Sequence, residues 1–130
     1  MNIETIKPKI AEVAEKYGLS FVVLFGSQAT GRTHPKSDVD LGVISSNEFD
    51  RIKLMSDMDK VFGRDDVQAV DLSKASPTLM RAVVKDGKLL YEKERTMYLR
   101  WKFYAIRVWM ETAWLRNLAS RQLVEWAKQI

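Results

Sequence analysis

Two short groups of residues in this chain have the types and spacing to act together on a phosphate. Gly26-Ser27 closes the apolar run Phe21-Val22-Val23-Leu24-Phe25, and Asp38-Val39-Asp40 opens a second apolar run that continues to Ile44. Ten residues separate Ser27 from Asp38. Glycine lets the backbone approach a phosphate closely. A helix starting just after the turn would offer free N–H groups and a favourable dipole, and the Ser27 hydroxyl adds a donor. Asp38 and Asp40 stand two apart in a predicted strand, so both carboxylates point to one face. Such an oxygen-rich face suits Mg²⁺, which keeps substrate phosphates in its shell. Two such ions can clamp an in-line displacement at phosphorus. Asp71, near the end of a third apolar run, is expected to complete the metal set from a neighbouring strand and to take the proton from an attacking hydroxyl. Ser37 precedes the pair, where it can hydrogen-bond a carboxylate or serve the turn. Alone, Gly-Ser and Asp-x-Asp are common surface sequences; in this order, inside apolar strands, they are specific.

The elements that must position these residues can be read from periodicity. Ile6, Ile10, Val13 and Tyr17 recur at helical spacing and Gly18 stops that helix. Pro8 is tolerable only near its start. Leu19 to Phe25 reads as a buried strand, and Asp38 to Ile44 as a second strand of period two. Asn47 is the expected N-cap of a helix carrying Phe49, Ile52, Met55 and Val61-Phe62. Val67 to Leu72 reads as a third strand. Ser76-Pro77 is a strong helix start, Gly87 ends that helix, and Leu89-Leu90-Tyr91 reads as a short strand. The fold class is α/β (α+β): a small mixed sheet flanked by helices, with a C-terminal helical extension. Residues 1–92 form the domain that holds the candidate site and 93–130 the extension, within one structural unit.

Composition narrows the class further. The 130 residues suffice for one domain with one core, and there is no cysteine. Disulfides, zinc-thiolate sites and thiol catalysis are thereby excluded, which fits a cytoplasmic protein. No signal peptide and no apolar stretch near the ~20 residues of a membrane span is visible. Of the net charge of +4, residues 93–130 carry eight Lys/Arg against three Asp/Glu, and they hold all four tryptophans. Placed at 100° intervals, this tail shows two apolar faces, one with Met97, Trp101, Tyr104, Val108 and Leu115, the other with Leu99, Phe103, Ile106, Met110 and Trp114. Docking on the domain uses one face. The other requires a partner protein, or a second helix at about 117–130 folding back. Arg95, Arg100, Lys102, Arg107 and Arg116 do not gather on one helix face, which argues against direct nucleic-acid binding.

The ordered pattern of Gly26-Ser27, ten residues, Asp38-x-Asp40 and a distant Asp71 resembles the nucleotidyltransferase superfamily of the DNA polymerase β type, over residues 19–72. The early helix and the words Ser37-Asp-Val-Asp-Leu41 look most like the minimal nucleotidyltransferase (MNT) antitoxins that accompany HEPN toxins. The resemblance implies that Gly26 and Ser27, with Ser37 beside them, bind the triphosphate of ATP. It implies that Asp38, Asp40 and Asp71 carry Mg²⁺. It also implies a protein adenylyltransferase that moves AMP onto a tyrosine of a HEPN toxin, in a hetero-oligomer held by the C-terminal helices. Thr30 departs from the family, where arginine is frequent. Other readings are an antitoxin acting by occlusion and transfer to a small molecule, although the chain has little room for an acceptor-binding portion. His34 reads as a solvated loop residue, while Arg32 or Lys36 is placed to meet a triphosphate or an acidic partner. Asp65-Asp66 read as turn residues, and Asp57-x-Asp59 falls on a helix, where the two carboxylates diverge.

Overall fold

A computed structural model of the chain describes residues 2–26, 29 and 38–130. Ser27, Ser37, Thr30, Arg32, His34 and Lys36 lie outside the described residues. Four strands, β1 (Leu19–Phe25), β2 (Val39–Ser45), β3 (Val67–Asp71) and β4 (Lys88–Glu92), form one sheet in the order β3-β2-β1-β4. β1 runs antiparallel to both β2 and β4, while β2 and β3 are parallel. The sheet is therefore mixed, as expected. Two parallel neighbours cannot be joined by a tight turn; the helix α2 (Arg51–Phe62) makes that crossover.

Alternate residues of the central strands feed two apolar layers. On one face Leu19, Val22, Leu24, Val39, Leu41, Val43, Val67 and Ala69 pack beneath α1 (Ile3–Lys16) and α2. On the other, Phe21, Val23 and Phe25 pack beneath α3 (Pro77–Asp86) and α4 (Met97–Glu111). This two-sided burial explains why β1 reads as a continuous apolar run rather than an alternating one.

The helix ends follow local chemistry. Asp50, not Asn47, caps α2, accepting from the amides of Ile52 and Lys53 at 3.1 and 3.2 Å. A carboxylate at that position outcompetes the earlier asparagine because it satisfies two orphan amides at once. Ser76 caps α3 through the Leu79 amide at 3.2 Å, with Pro77 in the first turn. Pro8 sits in the second turn of α1, where it forgoes one ladder bond. Tyr17 Oη and Lys16 Nζ donate to Asp57 Oδ2 at 2.6 and 2.9 Å, tying α1 to α2. The Tyr17 bond, then the Lys16 bond, hold the Asp57 carboxyl below its ordinary range. Asp59 accepts from the Val67 amide at 3.0 Å and so fixes the start of β3. Both members of the helical Asp-x-Asp are thus structural.

The extension divides its work between two helices. In α4, Tyr98, Trp101 and Ala105 are buried. The Trp101 ring centroid lies 5.7 Å from that of Phe21, and Tyr98 stacks on Trp101 at 6.1 Å. Glu92, at the end of β4, accepts from the Tyr98 amide at 2.8 Å and anchors the helix start to the sheet. The opposite face stays open: Phe103 and Met110 are 65% and 68% exposed, and Trp114, just past the helix end, is 63% exposed. The chain breaks at Thr112, whose hydroxyl donates to the Val108 carbonyl at 2.7 Å. A last helix, α5 (Ala113–Lys128), follows, and none of its residues is buried. It does not fold back to cover the open face of α4.

Gly87 shows how closely the second layer is packed. A methyl group there would lie 2.4 Å from the Val83 carbonyl oxygen, 2.6 Å from Tyr98 Oη and 2.8 Å from Val23. With φ at −68° the backbone would accept any residue, so space alone demands glycine. Gly87→Ala is expected to lower stability by about 1–3 kcal/mol, measured by chemical denaturation.

Candidate functional site

The antiparallel register places Phe25, the last residue of β1, opposite Asp40 in β2. Gly26 follows with φ +76°, a conformation that side-chain-bearing residues rarely adopt. The Asp40 carboxylate fills the space a side chain would need there, since a Cβ on Gly26 would lie 2.6 Å from Asp40 Oδ2. The turn continues with the Ala29 amide donating to the Gly26 carbonyl at 3.1 Å, and Ala29 is buried. Gly26 and the Asp40 carboxylate, distant in sequence, therefore lie against each other.

Asp38 is exposed and Asp40 half-buried, on the same side of the β2 backbone. Burial first, and then the negative charge of Asp38, push the Asp40 carboxyl above its ordinary range. A half-buried carboxylate with a second, exposed one beside it gains from a bound cation. The donor chemistry, hard carboxylate oxygens on one face, fits Mg²⁺. Just before β3, Asp66 grips Arg64 with two bonds of 2.7 Å, Nε to Oδ1 and Nη2 to Oδ2. That bond leads in raising the Arg64 guanidinium further, and the Asp38 charge acts in the same direction. Asp66 is thus occupied within the turn, as expected for a turn residue.

Asp71 is not brought to the pair. The parallel register sets Asp40 beside Gln68 and Val43 beside Asp71. Asp71 is thus three residues further along, about 10 Å at ~3.3 Å per residue. It also has the opposite parity, on the side of Val67 and Ala69, which pack beneath α1 and α2. Its carboxylate accepts from the Ser73 amide and hydroxyl at 3.0 and 2.6 Å, capping a 3₁₀ turn over Leu72–Lys74. It lines a cleft with Phe49, Arg51 and Lys74 at the far ends of β2 and β3. Among the described residues no group of three His, Cys, Asp or Glu side chains is placed to share a metal. The neighbour of Asp40 on its own face is Gln68, exposed at the second position of β3. No local pattern in the sequence marks Gln68, because strand register between distant segments leaves none. Ser27 and Ser37, the other expected nucleotide contacts, lie outside the described residues.

The chain is similar to known proteins in sequence and in fold. The family described as polymerase beta, nucleotidyltransferase matches residues 8–96. A protein of Shewanella oneidensis named protein adenylyltransferase MntA is 38% identical over 80 residues, covering 56% of this chain and 54% of that protein. The chain thus spans about half the length of that curated relative. Among solved structures, a toxin-antitoxin with AMP-PNP superposes with a TM-score of 0.76 at 26% identity, covering 91% of this chain and 98% of that one. The complex of tri-AMPylated S. oneidensis HEPN toxin with MNT antitoxin shares the fold, with a TM-score of 0.73 at 23% identity over 95% and 99% of the two chains. No helix of the described residues is long and apolar enough to cross a membrane.

Two outcomes test this geometry. Gly26→Ala is expected to crowd the Asp40 carboxylate and strain the positive-φ turn, lowering stability by about 1–3 kcal/mol, checked by chemical denaturation. For Asp40, the raised folded pKa means that ionisation costs stability. The cost is present above the folded pKa and disappears as pH falls through the unfolded value of about 3.9. In chelator-treated protein, Asp40→Asn is therefore expected to melt higher than the wild type at neutral pH, with the gap closing toward about pH 4.

Proposed function

Because the chain belongs to the polymerase β nucleotidyltransferase family, we propose that it is an antitoxin that transfers AMP from ATP to a tyrosine hydroxyl of a HEPN-type toxin. The observation that carries this reading is the seating of the Asp40 carboxylate on Gly26, with Asp38 on the same face. A phosphate turn and an ion-binding pair in contact serve one chemistry, displacement at a nucleotide phosphate. The named MntA relative and the toxin-antitoxin structure with AMP-PNP support nucleotide, acceptor and partner class.

In this reaction the phenolic oxygen bonds to the α-phosphorus and the bond from that phosphorus to the bridging oxygen of the β-phosphate breaks. Its electron pair leaves with pyrophosphate, and the phenolic proton is lost to solvent or a nearby base. The Gly26 turn lets the triphosphate approach the backbone, with Ser27 and Ser37 as hydroxyl donors beside it. Asp38 and Asp40 hold Mg²⁺, which when bound supplies charge neutralisation at the phosphates. The open face of α4 and the uncovered helix α5 provide the surface for the toxin, through large apolar anchors such as Phe103, Met110 and Trp114. Trp101 is not among them, since it is buried against Phe21 and Tyr98. A reaction that consumes ATP fits a cytoplasmic protein.

Incubation with ATP, Mg²⁺ and a cognate HEPN-type toxin, followed by intact-mass measurement, is expected to add one or more AMP units to the toxin. Asp38→Asn is expected to slow that addition by about 100-fold or more. Neutralisation of the toxin by Asp38→Asn without added AMP would instead establish occlusion as the mode of action.

A further inference from the structure

β3 adds a residue to the face of Asp40 that the sequence motif does not name. β3 lies beside β2 with Gln68 next to Asp40. Paired residues of neighbouring parallel strands stand on the same face, about 4.8 Å apart. The Gln68 side chain is exposed, so it borders the space above Asp40 rather than the core. Of the other acidic groups near this end of the sheet, Asp65 is exposed in the turn before β3. Asp66 grips Arg64 and Asp59 holds the Val67 amide. Asp71 has the other parity and caps the turn after β3. What faces Asp40 across the strands is a neutral carboxamide.

We propose that Gln68 forms the third wall of the ion pocket, and that its uncharged side chain limits the site to two carboxylates and one tightly held divalent cation. The inference rests on the reading of Asp38 and Asp40 as metal ligands, and it departs from the two-ion expectation. Two carboxylates balance the charge of one divalent ion. A second ion a few ångströms away would meet strong repulsion without further negative charge from the protein. An amide oxygen can contribute a ligand but adds no charge, and an amide cannot accept the acceptor's proton as a carboxylate would. The substrate phosphates, and not a third carboxylate, would then supply the remaining negative charge during catalysis.

The test is a Mn²⁺ titration of the full chain without nucleotide, followed by calorimetry or by the signal of free Mn²⁺. The wild type is expected to lose one ion per chain on Asp40→Asn substitution. Gln68→Glu, which keeps the side-chain shape at an exposed position, is expected to bind Mn²⁺ at least about ten-fold more tightly. Gln68→Asp is the second variant should the first fold poorly, as judged by its melting curve. Two ions lost on Asp40→Asn, or unchanged affinity in both Gln68 variants while Asp40→Asn loses its ion, would overturn the proposal and leave the Asp38–Asp40 assignment standing. Mn²⁺ binding unaffected by Asp40→Asn would overturn both.

Discussion

The site depends on the antiparallel register that sets Phe25 opposite Asp40. Once β1 and β2 are paired this way, the Asp40 carboxylate has to lie over the residue that follows Phe25. A side chain there would collide with it, so only glycine fits, and Gly26 also takes the positive φ that turns the chain away from the sheet. The same contact brings a backbone suited to phosphate next to a carboxylate suited to metal. It is held by the apolar layers on both sides of β1, where Val22, Val23 and Leu24 are fully or almost fully buried. A slip of one residue would exchange the two faces of the strand, sending Asp40 into the layer under α1 and α2.

That arrangement carries an electrostatic cost, since Asp40 is partly desolvated and repelled by Asp38. Elsewhere the fold pairs its acids: Asp57 with Tyr17 and Lys16, Asp66 with Arg64, and Asp50, Asp59 and Asp71 with backbone amides. Among the described residues the half-buried Asp40 has no such partner, the situation in which a carboxylate is a candidate for function.

The C-terminal helices show a similar division. α4 contributes to the core through Tyr98 and Trp101, while its other face and all of α5 remain uncovered. The break at Thr112 is reinforced by Arg116, which donates to the Thr112 hydroxyl and the Trp109 carbonyl at 2.7 and 2.6 Å and lies over the Trp109 ring. The extension thus has a fixed root and an open outer surface, which suits recognition of another protein.

Much of this was legible in the amino-acid order. The alternation around Asp40, the continuous apolar run of β1, the Ser76-Pro77 start and the two-faced helix after Met97 are local patterns whose periods map directly onto strand and helix geometry. That Gly26 would meet Asp40 was readable because β1 and β2 are successive strands, which pair antiparallel. The position of the third wall was not. Asp71 and Gln68 are both polar residues of one short strand, and their separation into opposite faces follows from parity. Which face meets Asp40, and at what height, follows only from the parallel register of β3 on β2, imposed by the packing of α2 and by the Asp59 bond to the Val67 amide. The sequence by itself determined the chemistry of the motif, because the spacing of residues within an element is local. Only the tertiary structure decided that Gln68 and not Asp71 stands beside Asp40, because strand register is a property of two distant segments packed together.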